Sequence, residues 1–488
     1  MWCARSWARG ADMGATTQLP AELVRWREEI ESRARDAGLD FFDVVFEMLD
    51  ARDVNALAAL GGFPVRYPSW RFGMEYERMQ KGYAWGLSKI YELVINNDPT
   101  YAYLVRANST MEQKLVMAHV FGHADFFKHN VWFSPTDRAM VDTMGRHATR
   151  MRELIDVHGQ DRVDCLLDAA LSLDNLVDPF QPLREHQSGV RRTLVGPSLA
   201  ERAAQSFAAQ TQPGEDRQSR AAGLPAASLP SCDVLGFLAE RGHLEDWERE
   251  VLRMVRAEAL YFVPQRQTQV MNEGWASFWH SRILTGGILN ASEVIDFADC
   301  HAEATASQPG RVNPYKLGIE LYRHAERVGL DLFRLRATHN DVSFIDAVVD
   351  EEFAERHGMF VYETNPRTGR QEIADRDWRR VKDQLLGDMA WGGVPQIDVI
   401  EEDGDGALQL RHRHLGRDLQ LEQAGSTLAH ISTLWGGPAH LLTEEGGEGR
   451  RIIADEEGVR VLETAEAPPS ALRPDADDDD GAKRQQRA

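Results

Sequence analysis

The chain has 488 residues, of which 43% are hydrophobic and 27% charged, a composition typical of a globular protein with two or three domains. The formal net charge of −22 disfavours binding to nucleic acid, because such binding depends on basic surfaces. No apolar run reaches the roughly 18 to 20 residues of a membrane-spanning helix. The sequence therefore predicts no nucleic-acid partner and no membrane span, and it leaves the oligomeric state open.

Residues 1–18 are predicted to be a disordered N-terminal extension, without the apolar core of a secretory signal. Met13 is an alternative start to Met1, because regular patterning begins only near Pro20. Four cysteines are widely separated and form no C-x-x-C pair: Cys3, Cys165, Cys232 and Cys300. This usage is typical of a reducing compartment, so we expect a cytoplasmic protein.

Residues 19–385 are predicted to form one mainly helical domain. Residues 20–39 and 135–159 have apolar side chains at helical spacing, and the segment after Phe72 also has a helical pattern.

Residues 185–231 are rich in Ala, Ser, Gln, Gly and Pro and have few large apolar side chains. This composition predicts a flexible insertion within the helical domain. The helical pattern resumes over 232–262 and 272–284, where Gly286 and Gly287 predict the end of a helix.

Residues 386–465 are predicted to form a small α+β domain. Its first part alternates around the Gly/Asp turn of "EEDGDGALQL", as a β-hairpin does. A helix is predicted over 424–437 and strands over 438–444 and 450–463. The acidic tail, 466–488, is of low complexity and is predicted to be disordered.

The stretch "KLVMAHVFGHADFF" places His119 and His123 four residues apart in an apolar segment. Residues at this spacing share one face of a helix, and zinc-binding helices of the H-E-x-x-H type present two imidazoles in this way. The position after the first histidine is Val120, where a hydrolytic zinc site carries the glutamate that activates water. The pattern thus indicates metal ligands without the usual catalytic base.

Glu273 is the best candidate for a third ligand, because it opens an apolar helix in which an unpartnered carboxylate would be costly. The N-E-x-x-A pattern of Asn272, Glu273 and Ala276 matches the third-ligand helix of gluzincin metallopeptidases, where a small alanine lets two helices approach. Two histidines and one glutamate leave a coordination position open, as in catalytic zinc sites. The expected cofactor is a divalent metal, zinc first, with iron or manganese as alternatives.

A reading without metal remains open. In it, both histidines are hydrogen-bonded core residues and Glu273 caps its helix, so the three side chains would lie too far apart to share one ion.

Hydrolysis would require a base from another segment, because valine cannot accept a proton. The candidate bases are Glu258, Glu112 and Asp125. Four residues are expected to orient the ligands or the substrate from outside the ligand set: His280, His129, His301 and Arg256. An aromatic and basic segment could line a cleft for a polar, acidic ligand, or could instead be core in which arginine stacks on aromatic rings: Arg66, Tyr67, Trp70, Arg71 and Tyr76.

Several long segments resemble the stage V sporulation protein R (SpoVR-like) family, and together they cover about 20–180 and 232–385. They include "GLDFFDVVFEMLD", "GGFPVRYPSWRFGMEYERMQKGYAWGLSKIYELVINNDPTYAYL", "QKLVMAHVFGHADFFKHNVWF", "VRAEALYFVPQ", "TQVMNEGWASFWH" and "NPYKLG". The C-terminal "LLGDMAWGGVPQIDV" and "TLAHISTLWGGPAHLLT" are similar to the family's smaller second domain. The H-x-x-x-H and N-E-G-W-A segments belong to the family pattern, so the resemblance implies that the missing glutamate is a property of the family.

The resemblance also implies a biological setting. The family is associated with formation of the spore cortex, and in bacteria without endospores it accompanies a serine protein kinase and a von Willebrand-type protein in stress responses. We therefore expect a role in spore cortex or cell-envelope formation, or in a related developmental stress response. The expected fold is a mainly α N-terminal domain with a zincin-like, specifically gluzincin-like, helical core, followed by the smaller α+β domain. If the protein is an enzyme, a metal-dependent amide or peptide hydrolase is expected; the alternative is a non-catalytic regulatory or scaffold protein of the kinase system.

Overall fold

The computed structural model describes six stretches of the chain: residues 18–84, 92–188, 232–306, 312–364, 371–402 and 406–464. The acidic tail, the N-terminal extension before residue 18 and the insertion from residue 189 onward lie outside these stretches. The first residues of the predicted insertion are helical, because a helix continues to Ser188. Within the described residues, no helix combines the length and the apolar character needed to cross a bilayer.

The protein is mainly helical, and its C-terminal part carries a small sheet, as predicted. To residue 188 the elements are α1 (Ala21–Asp36), β1 (Val44–Leu49), α2 (Ala51–Ala59), α3 (Trp70–Ala84), β2 (Glu92–Ile95), β3 (Thr100–Val105), α4 (Thr110–His129), α5 (Met140–His158), α6 (Gln160–Leu171) and α7 (Gln181–Ser188). The described residues from 232 to 357 then form α8 (Val234–Arg241), α9 (Asp246–Gln267), α10 (Gln269–Thr285), α11 (Ala291–Ala304), α12 (Pro314–Arg327), α13 (Leu332–Thr338), α14 (Asp341–Val348) and α15 (Glu351–His357). The last elements are β4 (Val361–Thr364), β5 (Gln371–Asp375), α16 (Trp378–Met389), a short 3-10 turn (Ala390–Gly393), β6 (Ile397–Glu402), β7 (Leu408–His412), α17 (Leu421–Trp435), β8 (Ala439–Glu445), β9 (Glu448–Asp455) and β10 (Gly458–Glu463).

The chain forms two compact units. The first contains residues 1–157 and 264–389, and the second contains 158–263 and 390–488. The predicted domain ranges, with their boundary at residue 385, remain a prediction, because compactness alone does not define an independently folding domain.

The first unit contains a three-stranded sheet that the sequence pattern did not reveal. Its strand order is β1-β3-β2, with β1 parallel and β2 antiparallel to β3. These strands have four to six residues, too few for an alternating pattern to stand out from a short buried helical segment.

The second unit contains a five-stranded sheet with the order β10-β9-β8-β7-β6. The hairpin predicted around the Gly/Asp turn is the antiparallel pair β6 and β7, and the predicted helix is α17. The predicted C-terminal strands are β8, β9 and β10, so the α+β prediction for this segment is confirmed.

Helix α4 passes through the core of the first unit. A capping box starts it: the hydroxyl of Ser109 accepts from the backbone N–H of Glu112, and the Glu112 carboxylate accepts from the backbone N–H of Ser109. Most of its side chains from Met111 to Phe127 are buried, so the helix is covered on all sides rather than along one stripe. Tertiary packing therefore fixes the orientation of both histidines.

Helix α10 is held between α4 and α12 by small residues. A Cβ atom on Gly122 of α4 would lie 2.7 Å from Cα of Ala276. On the other side, a Cβ atom on Gly274 would lie 2.4 Å from the backbone of Gly318 in α12. The prediction that Ala276 lets two helices approach is confirmed, and Glu273 is carried at the centre of this three-helix contact.

Candidate metal centre

The N-terminus of α10, which carries Asn272 and Glu273, is capped by a residue from a distant part of the chain. The two carboxylate oxygens of Asp341 accept hydrogen bonds from the backbone N–H groups of Val270 and Met271, at 2.9 and 2.8 Å. A carboxylate in this position satisfies N–H groups that have no partner within the helix. Burial raises the pKa of Asp341 to about 7, against the opposing effect of these N–H donors.

Three side chains converge as a candidate ligand set. Ligand atoms of His119, His123 and Glu273 all lie within 4.8 Å of one another. Oε2 of Glu273 is 3.4 Å from Nε2 of His119 and 3.6 Å from Nε2 of His123. Donors held around a tetrahedral zinc ion at normal bond lengths are roughly 3.3 to 3.6 Å apart. The group can therefore hold a metal ion with little rearrangement.

The other ring nitrogen of each histidine has its own hydrogen-bond partner. Nδ1 of His123 lies 2.9 Å from the amide oxygen Oδ1 of Asn272, which can only accept, so Nδ1 carries the proton. Nδ1 of His119 lies 2.8 Å from Nδ1 of His280. Such contacts leave Nε2 as the ligand atom and fix the orientation of the ring. The prediction that His280 contacts the ligand set from outside agrees with this geometry.

The protonation states also suit a metal. Burial lowers the pKa of His123 to about 4, so its imidazole is neutral at neutral pH. Burial acts to raise the pKa of Glu273, but the neighbouring His123 and His119 and a hydrogen bond from Tyr315 outweigh it, and the net pKa is lowered. A neutral His123 imidazole and an ionised Glu273 carboxylate are forms that bind a divalent cation.

One buried oxygen supports the fit of a cation. Oε2 of Glu273 is buried and accepts no hydrogen bond of normal geometry from the described part of the chain. A buried ionised oxygen without such a partner is costly, and a metal ion would offset that cost. This oxygen is also the one that faces both Nε2 atoms.

Tyr315 lies beside two of the candidate ligands, although the sequence did not identify it as a site residue. Its ring is stacked with that of His119 at a centroid distance of 6.2 Å, and its hydroxyl is one of the groups that lower the pKa of Glu273. The residue lies in the segment "NPYKLG", where Asn313 caps α12. Only that segment's place among the family motifs could have drawn attention to it.

Asp125 has several partners in the core of the first unit, and its predicted role as a base remains a prediction. It is fully buried, and both of its oxygens lie 2.6 Å from Nη1 of Arg336. It also accepts from the indole Nε1 of Trp275 at 2.8 Å and from the backbone N–H of Asp40 at 2.8 Å. These donors occupy its oxygens, so Asp125 joins α4 to α10 and α13.

Glu112 and His129 lie at the two ends of α4 and have local partners. Glu112 forms the capping box, and Nε2 of His129 lies 2.9 Å from the backbone oxygen and 3.0 Å from Oδ2 of Asp40. These contacts give both residues a structural role at the helix ends, and their predicted roles as a base and as an orienting partner remain predictions.

Two further candidates lie in the second unit. Arg256 is buried and donates to Oδ2 of Asp233 and to the side chain of Gln181. Glu258 is also buried there. Their predicted roles at the metal site remain predictions.

His301 on α11 is half-buried, and its ring is 5.8 Å from that of His280. It also stacks on Phe297 at 5.7 Å. Burial lowers the pKa of His301. Its predicted contact with a substrate oxyanion remains a prediction.

The predicted cleft residues do not form one exposed lining. Tyr67 is fully buried, and Arg66 donates to the backbone oxygen of Leu60 at 3.2 Å. Arg66 also stacks over the ring of Phe72, at 4.4 Å from its centroid. These contacts favour the reading of arginine stacked in a core for this part of the segment.

The remaining three cleft candidates are nearer the surface. Trp70 is 54% exposed and stacks with Arg71, while the hydroxyl of Tyr76 contacts Nε of Arg52 at 3.3 Å. A ligand-binding role for this group remains a prediction.

The fold and the site define a mainly helical protein in which two histidines of α4 and a glutamate of α10, much later in the chain, form a cluster that could hold a metal ion. Two family models match the chain: "SpoVR like protein" matches residues 17–394 and "SpoVR-like C-terminal domain" matches residues 395–446. The chain belongs to the SpoVR-like family, as its motifs predicted. It is 30% identical over 458 residues to the "Uncharacterized protein YcgB" of Escherichia coli (strain K12), covering 84% of this chain and 89% of that protein. No solved structure matches the chain.

Proposed function

We propose that the protein binds one divalent metal ion through His119, His123 and Glu273. The convergence of two Nε2 atoms on one buried carboxylate oxygen carries this proposal. Zinc is the first candidate, and iron or manganese are the alternatives, because imidazole and carboxylate ligands suit all three. The reading without metal required these side chains to lie far apart, and they do not.

A reaction at this site would be hydrolysis of an amide or peptide bond, for which a bound metal supplies Lewis acidity and activation of water. The chain's own part is to hold three ligands and to leave a further position open. Val120 is apolar and fully buried, so the base that normally follows the first histidine is replaced by another group or is absent.

The biological role that we propose follows from family membership. It is spore cortex or cell-envelope formation, or a related developmental stress response, in the cytoplasm. Its partners would be a serine protein kinase and a von Willebrand-type protein.

A non-catalytic regulatory or scaffold protein is the second candidate, and one observation favours it. Within the described residues, Glu273 is the only acidic member of the cluster. Asp125 and Glu112, two of the three candidate bases, are engaged elsewhere. In this case the metal would stabilise the three-helix contact rather than activate water.

The first test is the metal content of the purified protein, measured by mass spectrometry beside a His119→Ala/His123→Ala double variant. About one equivalent in the wild type, lost in a variant that keeps its circular dichroism, is the expected result. Absence of metal in the wild type even after addition of zinc, iron or manganese would contradict the proposal. A protein that binds metal would then be assayed on peptidoglycan-derived amides, where turnover separates the hydrolase from the scaffold.

A further inference from the structure

Tyr315 contacts two of the three proposed ligands from a third helix. Its ring stacks on His119 with an interplanar angle of 26°, and its hydroxyl lies close enough to the Glu273 carboxylate to help lower the pKa of that group. The side chain is neither fully buried nor fully exposed, so it lies at the edge of the ligand set.

The position of this tyrosine is fixed by the closest approach of α10 and α12. Gly318 follows Tyr315 by less than one helical turn, and Gly274 directly follows Glu273. A Cβ atom on Gly318 would lie 2.1 Å from the backbone oxygen of Val270, so the two backbones are in direct contact here. The phenol and the carboxylate are therefore presented to each other by two helices that cannot slide without a clash.

We infer that Tyr315 is a positioning residue that holds the Glu273 carboxylate so that it offers one oxygen to the metal and leaves a coordination position open. This inference rests on the proposed metal site. It goes beyond that proposal because it names the hydroxyl group that keeps a coordination position open. Any exogenous ligand would bind at that position.

The physical reason is that a carboxylate can bind a metal through one oxygen or through both. A hydrogen bond from a phenol stabilises one orientation of the carboxylate and competes with binding through both oxygens. Without the hydroxyl, Glu273 is free to turn and to fill the position that an exogenous ligand would take. The metal would then be held with altered geometry and lower affinity.

The test uses cobalt(II), whose visible spectrum reports coordination geometry, in the full-length protein. Cobalt affinity is measured by titration against a chelator, and azide is then titrated into the cobalt-saturated protein as the exogenous ligand. The variant is Tyr315→Phe, which removes one oxygen atom and keeps the ring on His119. The matched control is Tyr322→Phe on the same helix, because the buried hydroxyl of Tyr322 has no hydrogen-bond partner among the described residues.

We expect Tyr315→Phe to lower cobalt affinity about 10- to 100-fold, the usual effect of removing a group that orients a ligand. We also expect a changed visible spectrum and azide binding weaker by roughly tenfold or more at saturating cobalt, with Tyr322→Phe unchanged in all three measurements.

The outcomes separate this inference from the metal proposal. A wild-type protein that binds neither cobalt nor zinc contradicts the metal site itself. A wild-type protein that binds cobalt, with Tyr315→Phe equal to it in affinity, spectrum and azide binding, overturns the role of Tyr315 alone. If Tyr315→Phe loses cobalt affinity but binds azide as the wild type does, the claim that the Tyr315 hydroxyl keeps a coordination position open is overturned. Unfolding of Tyr315→Phe would also overturn it, because the hydroxyl would then serve the stability of the fold.

Discussion

His119 and His123 in the first unit differ from His412 and His414 in the second unit in what their ring nitrogens contact. All four are at most 9% exposed. In the second pair, Nδ1 of His412 lies 3.0 Å from the hydroxyl of Thr443, and Nε2 of His414 lies 2.7 Å from a carboxylate oxygen of Asp418. Each of these two rings therefore has a separate partner.

In the first pair, both Nε2 atoms point to the same oxygen of Glu273, and each Nδ1 is held by a different residue. Burial and close spacing in the sequence are thus common to both pairs. Convergence on a shared anionic oxygen distinguishes the candidate metal site, and it depends on a helix that comes much later in the chain.

The largest expected effect is on metal binding. His123→Ala should weaken binding of zinc by more than about a hundredfold, because it removes a ligand and not only a residue that orients one. His412→Ala should leave zinc affinity unchanged. Isothermal titration calorimetry on both variants checks this. Equal losses in the two variants would erase the distinction between the histidine pairs.

The two units can also be compared through one buried ion pair in each. Arg336→Met leaves Asp125 buried without its main partner, and Arg256→Met does the same to Asp233. Each should lower the free energy of unfolding by about 3 to 5 kcal/mol. Only Arg336→Met should also weaken metal binding, because Asp125 lies two residues from His123 and bonds to α10 through Trp275.

Urea denaturation and zinc titration of the same samples measure both quantities. The exposed pair of Arg282 and Glu326 provides a control, since Arg282→Met should cost no more than about 1 kcal/mol. Parallel loss of zinc affinity in Arg256→Met would show that affinity follows general stability.

The pH dependence of the second unit can be tested through His412, whose pKa burial lowers to about 4. The unfolded state takes up the proton first as pH falls below about 6.5, so the contribution of neutral His412 to stability declines from there and is lost below about pH 4. The stability advantage of the wild type over His412→Leu should shrink by up to about 3 kcal/mol between about pH 7 and pH 4. Comparing the two proteins cancels the opposite effect of Asp341, whose pKa is raised.

Denaturation curves at both pH values, with and without zinc, provide the measurement. Zinc should leave the difference unchanged, because His412 is not part of the ligand set. If zinc changes the difference in stability between the two proteins, His412 contributes to metal binding, which would contradict this prediction.

The smallest expected effect comes from helical glycines. Gly274→Ala places a methyl group 2.4 Å from the backbone of Gly318, so α10 and α12 must separate. We expect a loss of about 1 to 3 kcal/mol in stability, together with weaker metal binding because Glu273 is displaced. Gly145→Ala in α5 is the control: nothing lies within 4 Å, and helix propensity predicts a gain of about 0.5 to 1 kcal/mol. Thermal melts measure whether each substitution lowers or raises the stability of the protein. A Gly274→Ala variant as stable as the wild type would contradict the close contact between α10 and α12.

Local patterns in the sequence were enough to predict the candidate ligands, the C-terminal elements and the family of this protein. The four-residue spacing of His119 and His123 sets their common face, and the N-E-x-x-A pattern identified Glu273 and the small residue beside it. The C-terminal hairpin, helix and strands could also be predicted, because turn residues and alternation act over a few neighbouring positions. Long, unusual segments gave the family.

Only the tertiary structure decided which polar side chains meet the ligands. Asp125 lies two residues from His123, yet it pairs with Arg336, 211 residues away in the chain. Tyr315 reaches Glu273 only because Gly274 and Gly318 let two helix backbones touch. The physical reason is that partners of buried polar groups are chosen by packing between distant segments, which leaves no periodic trace in the sequence.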